Sequence, residues 1–65
     1  MTRQYVLHVY RAQSGQMSGQ LFDDDLEICA VAGCATVAEV RQAIEQTGQR
    51  VDFVIDAKTG ESLQS

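Results

Sequence analysis

Only one stretch of this 65-residue chain carries helix signals at both ends, and the rest alternates like strands. Thr36 offers a hydroxyl that accepts from the backbone N–H of Glu39, and the Glu39 side chain reaches back to Thr36 N–H, a capping box. Val37, Val40 and Ile44 recur at helical spacing with Ala43 beside them, while Arg41, Gln42 and Glu45 face away. Gly48 supplies the left-handed residue that stops a helix. Such a rod has about three turns, roughly 16 Å, and a narrow apolar stripe. It must lie on a sheet.

The remaining segments supply that sheet. Tyr5-Val6-Leu7-His8-Val9-Tyr10 is rich in β-branched and aromatic residues and reads as a first strand. Tyr5, Leu7 and Val9 share one face and Val6, His8 and Tyr10 the other. Both faces are largely apolar, unlike an antiparallel strand with one wet side. Ser14-Gly15 marks a turn into a second strand, Met17–Phe22. There Met17 and Leu21 share a face, Phe22 lies opposite, and Gly19 marks a bulge or the close approach of another side chain.

Asp23-Asp24-Asp25 breaks the pattern, and Leu26–Val31 resumes it. The alternation predicts Leu26, Ile28 and Ala30 inward, with Glu27, Cys29 and Val31 outward. After the helix, Val51–Asp56 gives a further strand, with Val51, Phe53 and Ile55 predicted on the core and Asp52 and Asp56 in water. Lys58–Glu61 forms a turn, and Glu61–Leu63 either adds a short edge segment or frays. Residues 1–65 therefore read as a single small α+β domain of order β-β-β-α-β. The expected sheet is mostly antiparallel and four-stranded, with one helix packed on one face. A right-handed crossover sets the last strand parallel to the first. A ubiquitin-like grasp is the competing arrangement, if Leu26–Val31 is loop or strand continuation and the Glu61–Leu63 tail pairs in the sheet.

The Tyr5–Tyr10 strand, the Ser14-Gly15 turn, and Gly33 leading into Thr36-Val37-Ala38-Glu39-Val40 together resemble the N-terminal domain of HicB-like antitoxins. The similarity covers about residues 4–56. It implies a half-size ribonuclease-H-like fold and an acidic protein that binds a basic partner, and it gives no reason to expect nuclease activity. That family's proline-containing segment before the helix has no counterpart here.

Composition narrows the function classes. A formal charge of −4 opposes contact with nucleic acid or an anionic membrane surface. No apolar run approaches the roughly 18–20 residues of a membrane span, and Met1–Tyr5 shows no signal-peptide pattern. Cytoplasm is the expected compartment, with Cys29 and Cys34 as reduced thiols. Two cysteines and one histidine cannot complete a zinc site within one chain. The glycines form no phosphate-cradling motif. Asp23, Asp24, Asp25 and Glu27 lack the spacing of a calcium loop. They read as a solvated turn that discourages edge aggregation, or as a docking point for a basic partner. No metal or cofactor is expected.

Chains below roughly 70–80 residues rarely draw enough stability from one core, so a partner is expected. The second sheet face, with Val6, His8, Tyr10, Phe22, Cys29 and Val31, is the predicted partner-binding surface, unless the tail from Ala57 onward covers it. The resulting reading is a small, acidic, non-enzymatic interaction protein that pairs with a twin chain. The rival is a small thiol enzyme or redox protein using Cys34, just ahead of the helix where helix dipoles activate thiols, or a His8/Cys29 pair.

Overall fold

The computed structural model describes residues 4–63, in the order β-β-β-α-β. β1 (Tyr5–Arg11) and β2 (Met17–Asp23) form a hairpin, in register from Tyr5 opposite Asp23 to Arg11 opposite Met17. Its turn closes through Ala12 N–H to Gln16 O at 2.8 Å and Gly15 N–H to Ala12 O at 3.0 Å. β3 (Leu26–Cys34) follows a tight turn in which Asp24 takes φ +57°. Short polar side chains tolerate that left-handed region better than most.

β3 pairs antiparallel with β2 but departs twice from a regular ladder. Leu21 pairs with Cys29 while Phe22 pairs with Glu27, which leaves Ile28 extra. Met17 pairs with Cys34 while Gly19 pairs with Val31, so a second extra residue lies beside Gly33, itself at φ +76°. Each bulge shifts the alternation by one residue, and the predicted facing of β3 is corrected accordingly. Cys29 and Val31 turn inward and pack on the core, while Ala30 pairs with Gln20 on the outer face. Leu26, predicted inward, is 67% exposed beside the Asp24 turn.

α1 spans Val37–Gln46. Thr36 Oγ1 accepts from Glu39 N–H at 3.1 Å, as the capping pattern predicts. The return bond differs: Glu39 Oε2 accepts from Ala35 N–H at 2.7 Å rather than from Thr36 N–H. The helix closes through Thr47 N–H to Ile44 O at 3.1 Å and Gly48 N–H to Glu45 O at 3.0 Å, with Gly48 left-handed.

β4 (Phe53–Asp56) returns parallel to β1, giving a mixed four-stranded sheet of order β3-β2-β1-β4. Because Leu26–Cys34 pairs with β2 as a strand, the grasp arrangement does not apply. The phase of β4 is the second correction. Val54 is buried, whereas Phe53 is 47% exposed and Ile55 is half-buried on the outer face. Val51 is buried as predicted, but it precedes the strand and is not bound by its alternation.

The core lies between the helix and one sheet face. Leu7, Val9, Met17, Leu21 and Val54 rise from the sheet against Val40 and Ile44. Gly19 is what allows the close fit: a Cβ there would overlap Val40 Cγ1 and come within 3.0 Å of Leu7 Cδ1. Beyond β4 the chain folds back on the sheet edge, through Asp56 N–H to Glu61 O at 2.8 Å and Leu63 N–H to Val54 O at 2.7 Å. Ser62 bridges Ile55, and the Leu63 side chain joins the helix-side core.

Candidate functional site

The second face of the sheet is built row by row from the strand register. Phe22, Val6 and Phe53 stand side by side across β2, β1 and β4. The next row is Ala30, Gln20, His8 and Ile55 across all strands, and Ser18 with Tyr10 completes the third. Cross-strand neighbours of this kind are close enough to touch. The His8 imidazole meets the Phe22 ring edge-on, with centroids 4.6 Å apart at 64°.

The polar part of the face is tied together. Tyr10 OH donates to Gln20 Oε1, and Gln20 Nε2 donates to Glu27 Oε1, forming a chain from β1 to β3. Polar groups thus collect on the β3 side, and the apolar surface runs across β1 and β4. Among the described residues no helix covers this face; the described tail pairs along the β4 edge and sends Leu63 to the other side. No protein-family model, curated protein or solved structure matches the chain.

Of the residues predicted on this face, the sheet brings Val6, His8, Tyr10 and Phe22 together. Cys29 and Val31 lie on the opposite side, where Cys29 Sγ is 3.9 Å from Thr47 Oγ1 at the helix end. Phe53 and Ile55 take their place. The sequence reasoning missed them because Phe53-Val54-Ile55 is an unbroken apolar run that carries no phase. Asp52 and Asp56, which flank that run, do not set its phase. Asp52 precedes the strand, where its carboxylate accepts from Tyr5 N–H at 2.9 Å. Asp56 ends the strand and accepts from Lys58 N–H at 2.8 Å and Thr59 N–H at 3.2 Å.

The acidic residues sit at one end of the sheet, with Glu27 on this face and Asp23 on the helix side. Asp23 stands opposite both Tyr5 and Leu26, Asp24 and Asp25 form the exposed turn, and Glu27 lies beside Phe22 at the rim. Among the described residues no group of three or more His, Cys, Asp or Glu side chains is placed to hold a metal ion. No helix among them is long and apolar enough to cross a membrane.

Proposed function

We propose that this protein is a non-enzymatic interaction module that pairs with a second copy of itself through the open face of its sheet. The observation that carries this reading is the uncovered apolar row Phe22–Val6–Phe53, backed by His8, Ile55 and Tyr10. Strands about 4.8 Å apart, with about 3.3 Å per residue over seven residues of β1, β2 and the paired part of β3 and four of β4, make a platform of ~400 Å² when flat. Two such platforms bury about 800 Å² together before side-chain relief, in the range of small or transient interfaces. The apolar rows contain no carboxylate, and Glu27 stands at their margin. Two chains of charge −4 therefore meet without burying like charges, and the residual repulsion is screened within about 8–10 Å at ordinary salt.

Sedimentation at tens of micromolar should show a dimer. Phe53→Glu, at a half-exposed position, should give a folded monomer with unchanged circular dichroism. A monomeric parent, or a Phe53→Glu variant that stays dimeric, removes the proposal. In this reading the exposed acids Asp24, Asp25 and Glu27, with the half-buried Asp23, dock a basic protein, the partner class that the resemblance to HicB-like antitoxins implies. Of the thiol alternative, the His8/Cys29 route is the less well supported, because His8 and Cys29 occupy opposite faces of the sheet.

A further inference from the structure

A ten-residue helix cannot roof four strands. α1 lies over β3 and β2 and reaches only the margin of β1, so one end of β1 and β4 stays open on the helix side. A groove of about 880 Å³ lies there, lined by the half-buried Val37 and Leu63 over the buried Val9 and Met17. Small-molecule sites span roughly 300–1,000 Å³ and are mostly apolar with a few convergent polar groups. Here the polar groups are Arg11, at the end of β1, and Lys58, in the turn after β4.

Their placement stands out in an acidic chain. Arg41 pairs with Glu45 at 3.5 Å and Arg50 with Asp52 at 3.1 Å. Among the described residues Arg11 and Lys58 make no ion pair, and both line this groove. Asp56 lines it too, but its Oδ1 is held by the turn N–H groups of Lys58 and Thr59. Among the described lining residues two cations and one carboxylate leave a single net positive charge at the rim. A monoanion balances that charge and a dianion exceeds it.

We infer that this groove binds an aliphatic monocarboxylate, its chain on Val37 and Leu63 above the buried Val9 and Met17 and its carboxylate at the Arg11 and Lys58 rim. The planar guanidinium suits a carboxylate in two-point contact, and the ammonium adds a point charge. The groove is on the side of the sheet opposite the proposed dimer surface, so either can fail without the other.

Octanoate titrated into the whole chain, followed by NMR, tests this, with 1-octanol and octylammonium as parallel probes. The expected result is saturable shifts at Val9, Val37 and Leu63 with octanoate, and binding of octanol weaker by about tenfold or more. The double variant Arg11→Gln/Lys58→Gln should lose about tenfold in octanoate affinity while keeping its octanol affinity and its circular dichroism. Both positions are exposed, so the fold should persist. Equal affinity for octanol and octanoate overturns the inference independently of any variant. So do shifts centred on Val6, Phe22 and Phe53, undiminished octanoate binding by the double variant, or no saturable binding.

Discussion

Substituting Gly19 by alanine tests how the helix is seated on the sheet. The added Cβ would overlap Val40 Cγ1 and approach Leu7 Cδ1 at 3.0 Å, with His8 O at 3.5 Å behind. Val40 and Leu7 are both fully buried, so neither has free volume to retreat into. Val40 is also β-branched, and a helical valine has one strongly preferred χ1 rotamer. The helix must therefore lift or tilt. Overpacking of this kind costs about 1–3 kcal/mol, and the reduced entropy of the unfolded chain returns about 0.4–1 kcal/mol. A net loss of about 1–2 kcal/mol lowers the melting midpoint by roughly 4–8 °C for each kcal/mol in a domain this small.

Thermal and urea unfolding by circular dichroism measure the loss, at one fixed protein concentration because self-association adds to apparent stability. Val40→Ala removes the overlapping methyl group, so Gly19→Ala should cost less in that background. The cycle should show a coupling of about 1 kcal/mol. A Gly19→Ala variant as stable as the parent, or two substitutions that simply add, would refute the close-approach account.

Thr36→Ala removes the hydroxyl that accepts from Glu39 N–H and should cost about 1 kcal/mol in urea unfolding. Gly33→Ala has open space around its Cβ but a left-handed backbone at φ +76°, so about 1–2 kcal/mol of strain should appear with no packing change. Gly33→Asn should recover part of it. His8→Phe keeps an aromatic ring against Phe22 and should leave the proposed dimer intact in sedimentation.

Much of the fold was legible because short-range rules govern it. The Thr36/Glu39 start and Gly48 stop of the helix depend on residues within one turn of each other. The stripe Val37, Val40, Ile44 follows from the helical repeat, and the parallel placement of β4 from the handedness of crossovers. The faces of β1 were equally readable, since no bulge interrupts its pairing with β2. That is why Val6, His8, Tyr10 and Phe22 were correctly grouped.

The other half of the second face was decided elsewhere. One extra residue in β3, Ile28, turned Cys29 and Val31 inward, and its position emerges only when β3 is laid against β2. In β4, register against β1 set Val54 inward and Phe53 and Ile55 outward, a choice that an unbroken apolar run leaves open. The amino-acid sequence by itself determined which segments are strands, where the helix begins and ends, and how the elements are ordered. Tertiary structure alone decided which side of the sheet each edge residue faces. Strand alternation has a period of two, so one residue of slip, set by a distant partner, exchanges inside for outside.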